Sequence, residues 1–504
     1  MKYVGTSKMT YQLDEYFVKT LNYAPEELMA RSARGLFNNL NFTHQNFLII
    51  SNYGNNGGDG IALAALLATF DPTKEINVYI CCTQIIFADK KTPQTSYWYH
   101  QAQTHNNIKF YFSPTPVTEL IAKAETIIDC MFGVGFHGEL GAEVAQIINN
   151  INAAKNKFII ACDLPSGINN DEKVIKQTAV KADLTVTFLT FKTAFTNYEI
   201  IPYLGKVVVW DLEFPTPDLT VIFETLFPNH HEFWIDNLKF PPRNVISHKG
   251  DYGSVLVWAG SETYPNTGVL VANSSVNMGS GLVYLATRET ELNKMSGLTP
   301  EVIPVSLDNK ELLDTLLKNK ISACGLGPGL GVKPQTLVML EFMLANYPGP
   351  IIFDADGIKL LNASILKRVA NRAIITPHPK EFAELLSQPV NTVLKNRAQL
   401  VKDFAKKYQV IVVLKGYQTI ISDGDTLYYN STGNPYMAMG GAGDVLTGMI
   451  TSLVGQNYPL LTSAYQGVYF HGLVADEIAK TKKPVLPTDI IKNIGYLFNK
   501  LLNK

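Results

Sequence analysis

The sequence has few cysteines, no excess of either charge and no long apolar run. Its five cysteines, at positions 81, 82, 130, 162 and 324, show no Cys-x-x-Cys spacing, and an odd number of scattered thiols does not form a disulfide framework. The 43 basic and 44 acidic residues are interspersed and give a formal charge of −1, which argues against nucleic acid or an anionic membrane surface as a partner. We therefore expect buried thiols in a reducing compartment and small molecules as partners.

The sequence also lacks targeting and membrane signals. No apolar core follows the lysines near the first residue, and no segment approaches the ~18 consecutive apolar residues of a membrane-spanning helix. These absences lead us to expect a soluble, cytoplasmic protein. The 504 residues exceed the roughly 250 to 300 at which a single core usually stops growing, so we also expect two domains.

Short β-rich runs alternate with helical stretches over the first 210 residues, which predicts βαβ units and a mostly parallel sheet. The predicted strands are 47–50, 76–82, 126–130, 158–163, 184–189 and 206–212. A helix is predicted after the first glycine cluster, with a stripe facing the sheet that consists of Leu63, Leu66, Leu67 and Phe70. The alternation stops in the proline-rich stretch 213–245 and then resumes. We predict two α/β domains, at 1–220 and 235–504.

Polar motifs follow the predicted strands in both domains. The second set of strands lies within 253–261, 282–287, 321–327, 350–356, 373–379 and 410–416, and an Asp-Gly pair predicts a β-hairpin over 418–430. The motifs are GNNGGDG, DCMFGVGFHGE and DLPSG in the first domain and GLGPGLG, DADG, TPHPKEF and KGYQT in the second. Because ligands of open parallel sheets bind at the carboxyl ends of the strands, we predict an active site in each domain.

A second glycine cluster, MGGAG at 439–443, precedes Asp444 and an apolar helix. Free N–H groups at such a turn, reinforced by the helix dipole, favour an anion such as phosphate. No Gly-Lys-Ser/Thr follows, so this is not a Walker A loop. Asp444 stands in place of the lysine and is suited to take a proton from a hydroxyl group while the N–H groups bind a phosphoryl group. Helix packing and an N-cap explain a lone motif of this kind equally well.

The longer motif NPYMAMGGAGDVLTG resembles the signature of ribokinase-like small-molecule kinases, and in particular that of the dehydratase that repairs hydrated NAD(P)H. Four other segments fit the same family: HKGDYGSVLVWAGS at 248–261, GLGPGLG at 325–331, TPHPKEF at 376–382 and KGYQT at 415–419. The resemblance covers about 240–504. It implies a ribokinase-like, three-layer α/β/α domain that uses ADP, or ATP, together with Mg²⁺ to remove water from the S epimer of the hydrate.

The resemblance also implies roles for individual residues of the second domain. Asp444 would be the catalytic base acting on the hydrate hydroxyl. The nucleotide would contact the loop 434–443 and the residues Lys415, Gly416, Tyr417, Gln418, Thr419, Gly440, Gly441 and Gly443. The substrate would contact Asp444, Gly327, Gly329, Gly331 and His378. Taken by itself, His378 after a Thr-Pro pair favours a turn or packing role over binding.

In the first domain, the ordered set GNNGGDG, DCMFGVGFHGE and DLPSG resembles the epimerase that interconverts the R and S hydrates of NAD(P)H. MARSARGL at 29–36 also fits, and the likeness covers roughly 1–215. It implies a Rossmann-like, three-layer α/β/α domain. Together, and in this order, the two modules resemble the family of bifunctional NAD(P)H-hydrate repair enzymes, whose substrates are the hydrated cofactors NADHX and NADPHX. We further expect a homo-oligomer.

For the first domain the resemblance implies a catalytic residue, a potassium site and a substrate site. Asp163 would be the acid–base group, and its place at the end of an apolar strand would raise the pKa of its carboxyl through desolvation. K⁺ would be bound by Asn56, Asp129 and Ser166, whose oxygens are hard ligands. The hydrate would contact Asn55, Asn56, Gly57, Gly58, Asp59, Gly133, Val134, Gly135, Phe136, His137, Gly138, Glu139 and Asp163. An Asx-turn or a helix cap explains Asp163 and Asp129 equally well from the residues alone.

Two alternatives stay open at this point. One is a vitamin-precursor kinase of the ribokinase class with a non-catalytic N-terminal binding domain. It would accumulate a phosphorylated product, whereas a dehydratase would release inorganic phosphate and restore nicotinamide absorbance. The other is a purely binding N-terminal module, against which Asp163 and Asn56 argue, because such a module does not need an acid–base carboxylate.

Overall fold

The computed structural model describes residues 1–238 and 240–502. Residues 2–230 form one compact unit, and the residues from 231 onward form a second. The boundary lies within the proline-rich stretch 213–245, which also contains a helix at Thr216–Leu226 and a strand at Glu232–Ile235. In the described part of the chain, no helix is both long enough and apolar enough to cross a membrane.

The first unit contains a seven-stranded parallel sheet. The strands of the unit are β1 (Lys2–Gly5), β2 (Asn46–Ser51), β3 (Glu75–Ile80), β4 (Ile108–Phe112), β5 (Thr126–Cys130), β6 (Phe158–Cys162), β7 (Ile168–Asn169), β8 (Val174–Ile175), β9 (Leu184–Phe188), β10 (Phe191–Lys192) and β11 (Lys206–Trp210), of which seven form this sheet. The sheet order is β11-β9-β6-β5-β2-β3-β4. β1 pairs in parallel with β10, and β7 pairs antiparallel with β8. All six predicted strands belong to the large sheet.

Helices cover both faces of this sheet. They are α1 (Ser7–Lys19), α2 (Pro25–Phe37), α3 (Asn55–Phe70), α4 (Gln84–Lys90), α5 (Pro93–Gln103), α6 (Thr118–Lys123), α7 (Ala142–Ala153), α8 (Ile201–Leu204) and α9 (Thr216–Leu226). Because strand side chains alternate, Phe47 and Ile49 pack into the layer of α1, α2 and α3, while Leu48 and Ile50 pack into the layer of α6 and α7.

The helix α3 is buried more completely than a single apolar stripe predicts. α2 and α5 pack against it in addition to the sheet, so nearly every residue from Gly57 to Ala68 is buried. The predicted stripe is wrong at Phe70, whose side chain is 61% exposed at the end of the helix. The glycines at 57, 58 and 60 lie within the first turns of α3 and do not form a separate loop before it.

The second unit contains a ten-stranded, mostly parallel sheet. Its strands are β12 (Glu232–Ile235), β13 (Ser254–Trp258), β14 (Leu282–Thr287), β15 (Val302–Ser306), β16 (Ala323–Leu326), β17 (Ile351–Phe353), β18 (Ala373–Ile375), β19 (Ile411–Leu414), β20 (Ile420–Ser422) and β21 (Leu427–Asn430). The order within the unit is β12-β21-β20-β19-β18-β17-β16-β13-β14-β15. β20 and β21 pair antiparallel around Asp423 and Gly424, as the predicted hairpin requires.

Helices cover both faces of the second sheet as well. They are α10 (Pro265–Asn277), α11 (Glu289–Leu292), α12 (Lys310–Asn319), α13 (Pro334–Asn346), α14 (Asp356–Lys359), α15 (Ala363–Arg368), α16 (Pro379–Leu386), α17 (Val390–Lys395), α18 (Arg397–Tyr408), α19 (Ala442–Gly455), α20 (Leu460–Ala479) and α21 (Pro487–Leu502). Val255 and Val257 pack with α10, α19 and α20, so the alternate buried residues Leu256 and Trp258 face the other layer. The predicted fold class, two three-layer α/β/α domains, is confirmed.

Candidate functional sites

Asp163 follows β6 directly in the first unit, in a strained backbone conformation. Its φ of +64° lies in the left-handed region, which Asp and Asn tolerate better than most residues. The side chain is buried, and each carboxylate oxygen has a protein donor. Oδ2 accepts from the Val134 N–H (2.9 Å), and Oδ1 accepts from the Thr187 hydroxyl (3.1 Å). Asp163 is therefore a fixed group in a buried network, neither a helix cap nor a simple turn.

A buried lysine, Lys192, forms an ion pair with Asp163. Its Nζ lies 3.0 Å from Oδ1 of Asp163 and also donates to the carbonyl oxygen of Phe188 (3.0 Å). The lysine is fully buried, and a buried charge needs a partner of this kind. Lys192 was not predicted, although a single lysine among the uncharged residues of TFLTFKTAF was a signal. The ion pair is thus a further contact that fixes the position of the Asp163 side chain.

Two more carboxyl groups, Asp59 on α3 and Asp14 on α1, belong to the same electrostatic neighbourhood. Desolvation raises the pKa of Asp59 well above its ordinary value, and the charges of Asp163 and Asp14 raise it further. Asp14 is open to solvent on one side, yet desolvation by the surrounding protein raises its pKa to about 6, against the lowering effect of Lys192. Asp59 was predicted and Asp14 was not. Groups with pKa values near neutrality are suited to exchange protons with a substrate.

The predicted potassium ligands Asp129 and Ser166 contact each other. Asp129 is fully buried at the end of β5, and its Oδ1 accepts from the Ser166 hydroxyl (2.6 Å) while Oδ2 accepts from the Ser166 N–H (2.7 Å). The Ser166 oxygen in turn accepts from the N–H of Phe132 (3.0 Å). Desolvation raises the pKa of Asp129 to about 6, and the hydrogen bonds from Ser166 oppose that rise.

The third predicted potassium ligand, Asn56, lies next to Gly133, the residue that follows Phe132. A Cβ atom on Gly133 would lie 2.8 Å from Asn56 Oδ1 and 3.1 Å from Asp163 Oδ2, so glycine leaves space between these oxygens. Within the described residues, the buried Nδ2 of Asn56 has no hydrogen-bond partner. An unpaired amide beside buried oxygens fits a site that receives another group.

The loop 133–139 links this network to the surface. Val134 and Phe136 are buried, whereas Gly135, His137, Gly138 and Glu139 are exposed. Gly138 has a φ of +81°, which favours glycine. The hydroxyl of Tyr11 on α1 lies above the loop, because a Cβ on Gly135 would be only 2.6 Å from it. Asn55 is the exposed first residue of α3 and accepts a hydrogen bond from Gln94 (2.8 Å).

In the second unit, Asp444 lies in the first turn of α19. Gly441 precedes that helix with a φ of +94°, a conformation that favours glycine. Desolvation raises the pKa of Asp444 to about 7, the charge of Asp354 raises it as well, and the charge of Lys415 lowers it. A carboxyl group with this pKa exchanges protons readily at neutral pH, as a general base must.

Asp354, at the end of β17, connects Asp444 to the KGYQT segment. It is buried, and its Oδ1 accepts from Lys415 Nζ (2.6 Å) while its Oδ2 accepts from the Thr447 hydroxyl (2.7 Å). Gly443 lies against this pair, since a Cβ there would be 3.3 Å from the Lys415 nitrogen. The DADG motif was predicted to lie at a strand end, but no role was predicted for Asp354, because neither Lys415 nor Thr447 is near it in the sequence.

A cavity of about 620 Å³ lies beside Asp444. Its lining includes the five predicted residues Lys415, Gly416, Tyr417, Gln418 and Thr419, the predicted residues His378 and Gly443, and most of the loop 430–443. Gly440 and Gly441 lie between Met439 and Ala442, which line it. Trp234, Val468 and His471 also line the cavity and were not predicted.

His378 lines this cavity and also caps a helix. Its Nδ1 accepts from the N–H groups of Lys380 (3.2 Å) and Glu381 (3.1 Å) at the start of α16. The Glu381 carboxylate accepts from the His378 N–H (2.8 Å), which completes a capping box. The turn role that the residues suggested is therefore present, and the other ring nitrogen, Nε2, lies 3.4 Å from the Glu381 carboxylate, so both nitrogens take part in the cap while the ring lines the cavity.

The three predicted glycines of GLGPGLG form a tight turn after β16. Gly327, Gly329 and Gly331 have φ values of +130°, +68° and +72°. A Cβ on Gly327 would be 1.8 Å from the carbonyl oxygen of Asp354, so the turn packs directly against the strand end that carries this carboxylate. The Gly331 N–H donates to Asp356 (2.9 Å). The backbone of this turn thus borders the Asp354 and Asp444 region.

Both units of this chain match known protein families. Residues 25–194 match the family model described as YjeF-related protein N-terminus, and residues 255–495 match the model described as NAD(P)H-hydrate dehydratase. A bifunctional NAD(P)H-hydrate repair enzyme of Coxiella burnetii is 32% identical, over 94% of this chain and 95% of the relative. This chain belongs to the family of bifunctional NAD(P)H-hydrate repair enzymes.

Other relatives agree with this placement in the family. A bifunctional NAD(P)H-hydrate repair enzyme of Dictyoglomus turgidum is 28% identical over 99% of both chains, and one of Escherichia coli is 27% identical over 94% of this chain and 89% of its own. A ribokinase-like superfamily protein of Enterococcus faecalis matches with a TM-score of 0.50 and 26% identity, over 53% of this chain and 93% of its own. The ribokinase-like fold that was predicted for the second unit is confirmed.

Proposed function

We propose that this chain repairs hydrated NAD(P)H, with one reaction in each unit. The first unit interconverts the R and S epimers of NADHX and NADPHX. The second unit dehydrates the S epimer to NAD(P)H and converts ADP to AMP and phosphate. A cytoplasmic location and a homo-oligomer are parts of the same proposal. The names of full-length relatives support the pair of activities, and the geometry of the two sites supports the residue roles.

One observation carries the proposal for dehydration: Asp444 has a pKa of about 7 and lies at the N-terminus of α19, beside the cavity that the predicted nucleotide residues line. The helix N-terminus favours an anion. Asp444 would take the proton of the hydrate hydroxyl group. The hydroxyl oxygen of the hydrate would attack the terminal phosphorus of ADP, and AMP would leave. Phosphate is a better leaving group than hydroxide, so its departure, together with loss of a proton from the neighbouring carbon to form the double bond, would complete the loss of water.

Lys415 and Asp354 support a phosphoryl-transfer role for this cavity. The Lys415 ammonium is next to Gly443 and would neutralise charge on the transferring group. Asp354 fixes the position of that ammonium. Mg²⁺ would come with the nucleotide phosphates. Among the described residues, no cluster of three or more His, Cys, Asp or Glu side chains forms a metal site of its own.

The network around Asp163 supports epimerisation. Epimerisation inverts the carbon that carries the hydroxyl group, so it needs acid–base groups that remain in place while the substrate changes. Asp163 is fixed by Val134, Thr187 and Lys192, and Asp59 has a raised pKa beside it. We assign Asp163 to the proton transfers. The loops 55–59 and 133–139 would bind the dinucleotide.

The donor set around the loop 131–133 fits a potassium ion. Asp129 supplies a buried carboxylate, Ser166 a hydroxyl oxygen and Asn56 its amide oxygen Oδ1, which borders Gly133. Alkali cations prefer hard oxygen ligands of this kind. Bound there, K⁺ would supply positive charge that fixes the loop and offsets the buried charge of Asp129.

The experiment uses the full chain with a mixture of R and S hydrates and with ADP or ATP. Wild-type protein should return both epimers to NAD(P)H and release inorganic phosphate. Asp444→Asn should stop dehydration and leave epimerisation intact. Asp163→Asn should dehydrate the S epimer and leave the R form, with asparagine chosen because it tolerates the left-handed backbone. Chromatography of the epimers and a phosphate assay give separate readouts.

Two results would contradict the proposal. Recovery of both epimers by both variants would refute the assigned residues. Accumulation of a phosphorylated hydrate or of another phosphorylated small molecule, without return of nicotinamide absorbance, would favour the small-molecule kinase. A surface variant, Asp403→Asn on α18, is the control and should behave as wild type because its side chain is exposed.

A further inference from the structure

Two buried polar atoms at the cavity of the second unit lack hydrogen-bond partners among the described residues: Nε2 of His471 on α20 and Oε1 of Gln418. Both side chains line the cavity and are more than nine-tenths buried. An unpaired buried polar atom is costly, and most such atoms in folded proteins have a partner. Two of them at one cavity indicate a ligand that supplies the missing hydrogen bonds.

The protonation state of His471 makes its free nitrogen an acceptor. The ring is hydrogen-bonded to the backbone of Ala442, and this bond raises its pKa, so the backbone partner is the carbonyl oxygen and the ring donates. Because Nε2 has no partner in the described part of the chain, the donor is Nδ1–H. Burial and the charge of Lys415 outweigh this bond and lower the pKa to about 4. The ring is therefore neutral at physiological pH, with a lone pair on Nε2.

The position of His471 limits what it would contact in a nucleotide. Ala442 is the first residue of α19, whose N-terminus is the anion end of the cavity, and Lys415 is close enough to lower the pKa of the ring. Phosphate oxygens are acceptors and do not pair with a neutral Nε2 acceptor. The donors next to the phosphates of a nucleotide are the hydroxyl groups of its ribose.

We propose that Nε2 of His471 accepts a hydrogen bond from a ribose hydroxyl of the nucleotide and so makes this cavity selective for ribonucleotides. The inference rests on the proposed function, in which the cavity binds ADP or ATP. It adds a selectivity residue that lies on α20, outside the two segments to which nucleotide binding was assigned. A site built to bind a hydroxyl group rejects the analogue without it, since the buried acceptor then stays unpaired.

The test measures dissociation constants of ADP, 2′-deoxy-ADP and 3′-deoxy-ADP by titration calorimetry on the full chain. Wild-type protein should bind one of the two deoxynucleotides on the order of tenfold more weakly than ADP, the effect of one lost hydrogen bond to a buried acceptor. His471→Phe, which keeps a ring but removes the acceptor, should bind ADP more weakly by a similar factor and should no longer distinguish the three. Lys480→Gln, at the exposed end of the same helix, is the control and should keep the wild-type ratios.

The outcomes distinguish a failure of ribose recognition by His471 from a failure of nucleotide binding in the cavity. If wild-type protein binds ADP but binds all three nucleotides equally, the inference is wrong and the proposed function stands. If His471→Phe keeps the wild-type ratios of the three dissociation constants, another group binds the ribose hydroxyl and the inference is wrong. If wild-type protein does not bind ADP at all, nucleotide binding in this cavity is wrong, and the inference fails with it. The comparison in wild-type protein does not depend on the variant folding well.

Discussion

Asp444→Asn should stabilise the second unit at alkaline pH while it removes dehydratase activity. The pKa of Asp444 is raised from 3.8 to about 7, chiefly by desolvation and then by the charge of Asp354. A raised carboxyl pKa means that the folded state favours the protonated form, so stability falls as the pH rises from the unfolded pKa of 3.8 to the folded pKa of about 7. Asparagine matches the shape of the carboxyl group but never ionises. The variant therefore avoids the pH-dependent cost that the wild-type side chain carries.

The size of the effect follows from proton linkage. Between pH 5 and about pH 7 the unfolded chain has lost the Asp444 proton and the folded chain keeps it, so wild-type stability falls by about 1.4 kcal/mol per pH unit. Over these two units the loss is nearly 3 kcal/mol, and partial solvent exposure reduces it to about 2 kcal/mol. Above pH 7 the loss from this group is complete. Asp444→Asn should therefore gain about 2 kcal/mol over wild type on going from pH 5 to pH 8.

The assay is urea unfolding at pH 5 and pH 8, followed peptide by peptide by hydrogen exchange and mass spectrometry. Two units do not unfold as one cooperative system, so peptides from β13 and β16 report the second unit separately. Asp403→Asn on α18 is the matched control, because its carboxylate is exposed. An unchanged difference between Asp444→Asn and wild type at the two pH values would refute the reasoning, as would a variant that is less stable at pH 8 than at pH 5 relative to wild type.

Two further substitutions test how the backbone around each site is fixed. Gly57→Ala should abolish epimerisation and leave dehydration, because the added Cβ would lie 1.9 Å from a backbone carbonyl oxygen. Gly54→Ala is the control and should keep both activities, because its Cβ would meet nothing within 4 Å. Equal activities in the two variants would contradict this steric argument. Arg397→Gln should raise the KM for the nucleotide several-fold with little change in kcat. The buried guanidinium group donates to the carbonyl oxygens of Tyr417 and Gln418 at 2.9 Å and so fixes the loop that contacts the nucleotide. A loss confined to kcat would contradict this prediction.

The strands and glycine turns were predictable because each depends on local sequence. Apolar runs of four to six residues predicted the central strands, and Asp-Gly predicted the hairpin between β20 and β21. The edge strands β4 and β15 were missed. IKFYF in β4 mixes an exposed lysine with aromatic residues, and VIPVS in β15 contains a proline, which sequence rules assign to edges or to non-strand structure.

The partners of the candidate catalytic carboxylates were not predictable, because they come from distant parts of the chain. Lys192 reaches Asp163 from β10, and Lys415 reaches Asp354 across 61 residues of sequence. No local sequence motif predicts an ion pair of this kind. His471 lies in a buried helix without any glycine cluster nearby, so only its position at the cavity and its unpaired nitrogen within the described residues mark it.

Asp163 and Asp444 show how the two units give one type of side chain two different environments. Asp163 has a buried ammonium group 3.0 Å away, with which it forms an ion pair. Asp444 has a second carboxylate, Asp354, in its neighbourhood, and its pKa of about 7 lets it take up and release a hydroxyl proton near neutral pH. Lys415 bonds Asp354, and its charge also lowers the pKa of Asp444. The ion pair of Asp163 and the raised pKa of Asp444 are thus set by different partners in each unit.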